Sequence, residues 1–169
     1  MDKKLIDELR EIALSMGAER AELFTIDQIA FDQRVLLKCF FGCSGGKPYC
    51  PKPEDASNSM VYSELIKKYE WGIIIESDEL RKGQKITLAL ESRAFLAGKT
   101  FAFGATECEY CTNCAFAEGG TCAAPGSVRP PLYALGIDVY KTVNQMGWKL
   151  EVVQKKGDPA KNITAVFVE

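Results

Sequence analysis

The chain contains no histidine. That absence removes imidazole metal ligands, the usual general base at neutral pH, and every Cys–His or Ser–His catalytic arrangement. A strong charge bias is also missing. Twenty-one Lys and Arg stand against 23 Asp and Glu, a net charge of −2. Such a balance gives no electrostatic ground for nucleic acid or an anionic membrane as partner. No apolar stretch approaches the about 18 residues needed to span a bilayer. The opening Met1-Asp2-Lys3-Lys4-Leu5-Ile6 moves straight into an amphipathic pattern and does not read as a secretory signal. These absences lead us to expect a cytoplasmic protein with neither membrane nor nucleic-acid partners.

Cysteine, by contrast, is plentiful. There are seven in 169 residues. In a reducing compartment they are poor candidates for disulfides, and an odd number argues further against a full framework. Metal is the better explanation, and without histidine the ligands must be mainly thiolates, the preference of iron–sulfur clusters and four-cysteine zinc sites. Four fall within fifteen residues, Cys108, Cys111, Cys114 and Cys122, as C-x2-C-x2-C-x7-C. Three thiolates at intervals of three, with a fourth just downstream, suit a cubane iron–sulfur cluster. Zinc sites are more often built from two separated pairs. The competing readings are a zinc knot and reduced cysteines packed as small hydrophobes. Packed hydrophobes rarely cluster so densely in a segment containing Glu, Asn and Gly. A thioredoxin-like dithiol at Cys111 and Cys114 is weaker, because further cysteines flank the pair.

Cys39, Cys43 and Cys50 form a second group, C-x3-C-x6-C. One or two of them can simply pack a loop. Cys50-Pro51, however, copies the Cys-Pro step that often ends a cluster-binding run. Gly42, Gly45 and Gly46 would let backbone amides approach bridging sulfides. Three thiolates leave one iron of a cluster open to solvent, a small ligand or a partner residue, and such an iron is a Lewis acid. The spacing differs from the C-x3-C-x2-C of radical S-adenosylmethionine enzymes. A cysteine crossing between the two groups is a further arrangement, as in two-cluster ferredoxins.

Length and composition suggest a single domain over residues 1–169. Asp2 to Met16 reads as a helix with Asp2 as cap and Gly17 after its end. Ala21 to Ile26 and Ile29 to Lys38 read as strands, paired in a hairpin, and the second runs into Cys39. Gly42 to Pro53 reads as a loop. Ser57 to Tyr69 and Gln84 to Ala97 read as helices, Trp71 to Glu76 as a buried strand, and Thr100 to Gly104 as a short strand leading to the four-cysteine segment. Pro130 to Gly147 looks helical with a break near Gly136-Ile137-Asp138, and Leu150 to Gln154 and Ile163 to Val168 read as the last strands. The expected fold is α/β: a mixed or mainly parallel sheet flanked by helices, with two cysteine-rich metal-binding loops at the carboxyl ends of strands. Lys38, Lys47 and Arg129 lie near the cysteines in sequence and can offset cluster charge or bind an anion, against the plainer reading of solvated cations. Asp138 reads as a helix cap rather than a catalytic acid.

The motifs together resemble a family. The segment Arg34-Val35-Leu36-Leu37-Lys38-Cys39-Phe40-Phe41-Gly42-Cys43, followed by Gly46-Lys47 and Cys50-Pro51, resembles the opening of the predicted metal-binding proteins catalogued as domain of unknown function 2284. So does Ala102-Phe103-Gly104-Ala105, then Cys108, Cys111, Cys114, Cys122, Arg129-Pro130 and Gly136-Ile137-Asp138-Val139. The resemblance runs from about Val35 to the end of the chain. Two departures stand out: Cys50-Pro51-Lys52 where the family has Cys-Pro-Pro, and Pro130-Pro131 where it has one proline. Neither removes a candidate ligand. The resemblance implies metal binding, as an iron–sulfur centre, and no particular reaction.

The leading expectation is therefore a carrier of one or two [4Fe–4S] clusters that passes electrons to a redox partner protein. One alternative is an enzyme using the open iron of a three-cysteine cluster, with a small ligand bound there, as Lewis acid or redox centre. The other is a zinc-binding structural module.

Overall fold

The computed structural model describes residues 1–42, 56–155 and 160–169. The first helix, α1 (Lys3–Ser15), buries Leu5, Ile6, Leu9 and Ala13, and Asp2 caps it by accepting from the Leu5 N–H at 3.1 Å. Strand β1 (Arg20–Thr25) follows, then the short helix α2 (Leu36–Gly42) and α3 (Ala56–Ile66). Strand β2 (Trp71–Ser77), helix α4 (Leu80–Leu96) and strand β3 (Phe103–Ala105) form the central unit. Helix α5 (Val139–Gln145) and strand β4 (Asn162–Val168) complete the described elements.

The strands lie in the order β1-β2-β4-β3, and each neighbouring pair is antiparallel. This corrects the expectation of a mixed or mainly parallel sheet. The alternation strand–helix–strand in β2, α4 and β3 does give two strands running the same way, since both are antiparallel to β4. They are not neighbours, because β4 returns from the end of the chain and inserts between them. The result is a split β–α–β unit. In register, Trp71 faces Val168 and Ser77 faces Asn162 across β2 and β4, while Phe103 faces Phe167 across β3 and β4.

Apolar residues cover both faces of the sheet. On one, Leu5 and Leu9 of α1 with Ile86 and Leu90 of α4 pack over Ile73, Ile75 and Val166. On the other, Leu132, Leu135, Ile137 and Val143 pack over Ile74, Ala165 and Phe167. Every residue of β2 is buried, which is why Gly72-Ile73-Ile74-Ile75 reads as a continuous apolar run rather than an alternating one.

Two expected strands differ. Ile29 to Lys38 is not a strand, and β1 pairs with β2 instead of a hairpin partner. The Asp32 carboxylate accepts from the Arg34 N–H at 2.9 Å and starts a 3-10 turn at Gln33–Val35 that leads into α2. Beyond it, Leu36 and Cys39 are both buried at helical spacing. Only Phe31 makes a bridge, to Ile137. Residues 150–154 do not form a strand of the sheet, and 151–154 are exposed to solvent. The expected break near Gly136 is present. A 3-10 turn at Leu132–Leu135 ends at Gly136 with φ +77°, and the Asp138 carboxylate caps α5 by accepting from the Lys141 N–H at 3.0 Å. Gly136 also lies close under α3, where an added Cβ would sit 2.5 Å from the Ser63 hydroxyl oxygen.

Candidate metal centre

The four-cysteine loop leaves the sheet where β3 ends and returns at Pro130, whose carbonyl accepts from the Thr106 N–H at 2.9 Å. Since β2 and β3 run the same way, their carboxyl ends share one side of the sheet. Helix α4 begins on that same side, so its first turn meets the loop. Cys108, Cys111, Cys114 and Cys122 are each partly buried thiols and all line one cavity of about 20 Å³, together with Tyr110 and Phe116. Cys114 precedes a 3-10 turn at Ala115–Glu118, closed by Gly119, whose Ala115 and Phe116 line the cavity, and a further 3-10 turn at Pro125–Ser127 follows the lining residues Ala123 and Ala124.

Two side chains of α4 hold this loop. Gln84 has no exposed surface. Its Oε1 accepts from the Glu109 N–H at 2.7 Å, and its Nε2 donates to the Ser127 carbonyl at 2.9 Å and lies 3.8 Å from Cys108 Sγ. Arg81 donates from Nε to the Glu109 carbonyl at 2.9 Å and from Nη2 to the Cys111 carbonyl at 3.5 Å. The helix itself is seated firmly: Thr87 Oγ1 donates to the Gly83 carbonyl and pairs with Thr164 Oγ1, both at 2.8 Å.

Arg129 serves the return of the loop. It pairs with Glu91 through Nε at 2.8 Å and Nη2 at 2.5 Å, and its Nη1 donates to the Gly126 and Val128 carbonyls. Its pKa is raised, chiefly by the hydrogen bond with Glu91. Glu91 also accepts from the Gly104 N–H at 2.6 Å, which ties β3, α4 and the loop end together. The Arg129 charge is therefore matched by a carboxylate and acts in the framework. At the loop's start, the Tyr133 hydroxyl donates to the Glu107 carboxylate at 2.8 Å.

The second cysteine group stands differently. Cys39 is buried within α2 and does not end a strand, contrary to expectation. Cys43 and Cys50 lie outside the described residues, as does Lys47. Lys38 is exposed on α2, beside an open depression that Asp32, Arg34, Tyr133 and Asp138 also line. Asp32 there is drawn down to about 2, first by its side-chain hydrogen bond with Arg34. Asp138 acts as the α5 cap.

The donor set of the four-cysteine loop suits a thiolate-bound group: four thiols on one cavity and no imidazole in the chain. Among the described residues, no three Cys, Asp or Glu form a group that could hold a metal ion. The cysteines thus share a cavity without forming the closed shell of a single ion. Arg81, Gln84 and Glu91 were not legible as site residues from the sequence. Gln84 left one signal, a polar side chain on the inward stripe that also carries Thr87 and Leu90.

Comparison with curated proteins found no match, and comparison with solved structures found none. The profile of one family, described as predicted metal-binding protein (DUF2284), matches residues 22–168. Those residues include the cysteine loop, the α4 side chains that hold it, strands β2, β3 and β4 and most of β1, so the chain belongs to that family of predicted metal-binding proteins.

Proposed function

We propose that Cys108, Cys111, Cys114 and Cys122 hold one [4Fe–4S] cluster and that the protein passes electrons between this cluster and a partner protein. The observation that carries this reading is the convergence of four thiols on one cavity in a chain with no histidine. A single ion requires its sulfurs about 2.3 Å from one point. A cubane instead takes one thiolate at each of four irons, so four cysteines lining one space supply its ligand count. Such a cluster would supply one-electron chemistry. The chain's own part is to hold the thiolates, to offer the Arg81 cation beside them, and to keep the loop close to solvent. Tyr110 is 47 % exposed and Phe116 38 % exposed at the cavity wall, so a partner can approach closely.

A single zinc ion is the second reading. It is favoured by the size of the cavity, which at about 20 Å³ has room for little more than one water-sized group. Iron, acid-labile sulfide and zinc analysis on protein purified without oxygen separates the two. The cluster reading expects about four irons and four sulfides per chain with broad visible absorption. One zinc and no sulfide after anaerobic reconstitution would sink it.

A further inference from the structure

We infer that Gln84 is a positioning residue of the cysteine centre, orienting Cys108 through an N–H···S contact while latching both ends of the loop. The inference rests on the reading of the four cysteines as a metal centre.

The amide has one consistent orientation. The Glu109 N–H can only donate, so Oε1 must face it. The Ser127 carbonyl can only accept, so Nε2 must face that. An amide nitrogen carries two protons. One goes to Ser127, and the sulfur at 3.8 Å is the neighbour of the same nitrogen on the cysteine side. A neutral thiol is a weak acceptor, whereas a metal-bound thiolate carries charge and accepts more strongly. The donor is therefore placed for the ligated form of Cys108. Burying a full amide is unfavourable unless its polar atoms are bonded, and here each has a partner on the loop.

Gln84 is also held in place. It follows Gly83, where α4 lies so close to the sheet that an added Cβ would sit 2.2 Å from Asn162 Nδ2 and 2.8 Å from Ser77 Oγ. A rigid helix turn thus presents a fixed amide to the loop, as groups behind metal ligands commonly do.

The test uses cobalt(II) as probe, read by thiolate-to-metal charge-transfer absorption, on full-length metal-free protein. Gln84→Glu keeps the acceptor for the Glu109 N–H and loses both donors; Gln84→Met loses all three bonds. Each should weaken cobalt(II) binding by about tenfold or more and shift the charge-transfer band, the usual scale for a group behind a ligand. Thr87→Val is the structural comparison. It removes the bond from Thr87 of the same helix to Thr164 of β4 and should lower stability without changing cobalt(II) affinity. Wild-type affinity and an unshifted band in both folded Gln84 variants would overturn the inference while leaving the metal reading intact. Failure of the wild type to bind cobalt(II) through thiolates would overturn the inference together with the reading of a single thiolate-bound ion, while iron and sulfide analysis still decides the cluster reading. Loss of folding in both variants would assign Gln84 to the core and overturn the positioning role.

Discussion

Arg81 and Arg129 both bind the cysteine loop, and their charges meet different fates. Arg129 is engaged by the Glu91 carboxylate on two nitrogens. Arg81 donates to two carbonyls of the loop and has no ion-pair partner among the described residues. A cation beside a cluster favours the more negative, reduced state. In cluster-loaded protein, Arg81→Gln should lower the midpoint potential by on the order of 50 mV, the equivalent of about 1 kcal/mol for one electron. Protein-film voltammetry measures this, and an unchanged potential would count against a cluster at this loop. Cys111→Ser removes one thiolate from the cavity wall. Iron and sulfide content should fall to background in that variant, with a lower thermal midpoint than the loaded wild type, because bound metal contributes to folding free energy. Full retention of iron would show that Cys111 is not a ligand.

Elements bring these residues together. The close seating of α4 on β2 and β4 depends on the missing side chain at Gly83. Gly83→Ala should cost about 2 kcal/mol, as overpacking does, and should also weaken metal binding by tilting Gln84. Gly126→Ala is the comparison, since nothing lies within 4 Å of its added Cβ. Chemical denaturation gives the stability difference, and equal stability of the two variants would refute the close-packing account. At α5, Asp138→Ala should cost about 1 kcal/mol through loss of a cap. Metal content should not change, since Asp138 caps the helix and does not line the cysteine cavity. A loss of metal in that variant would mean Asp138 serves the centre after all.

Across the whole molecule, the sheet also sets a pH dependence. Glu76 sits at the end of β2 opposite Arg20 of β1, and burial pushes its carboxyl above the ordinary glutamate range, with Arg20 opposing and a hydrogen bond to Glu19 adding to the rise. A raised carboxyl favours the protonated form in the fold. Its stabilising contribution is present below the unfolded-state pKa and is lost as pH rises through the folded one. Glu76→Gln should therefore gain stability relative to wild type as pH rises from acid to neutral. Thermal midpoints at several pH values test this, and a constant difference would show that Glu76 is not the titrating group.

Sequence alone determined the donor chemistry, because a chain with seven cysteines and no histidine offers thiolates to a metal wherever it folds. It also determined the elements with strong local signals: α1 with its Asp2 cap, the buried β2, and α5 with its Asp138 cap. Periodicity reports which residues are buried but not against what. Ile29 to Lys38 alternates well enough for a strand until the Asp32 turn, whose effect is local but competes with the pattern. Tertiary structure decided the rest. Asn162 meets Ser77 from 85 positions away, and that insertion of β4 makes the sheet antiparallel. The same arrangement sets the start of α4 beside the end of β3. Gln84 and Arg81 thereby reach Cys108, Glu109 and Cys111 across more than twenty residues of chain. Hydrogen bonds of that range depend on how helix and strand pack, which no local pattern in either segment encodes.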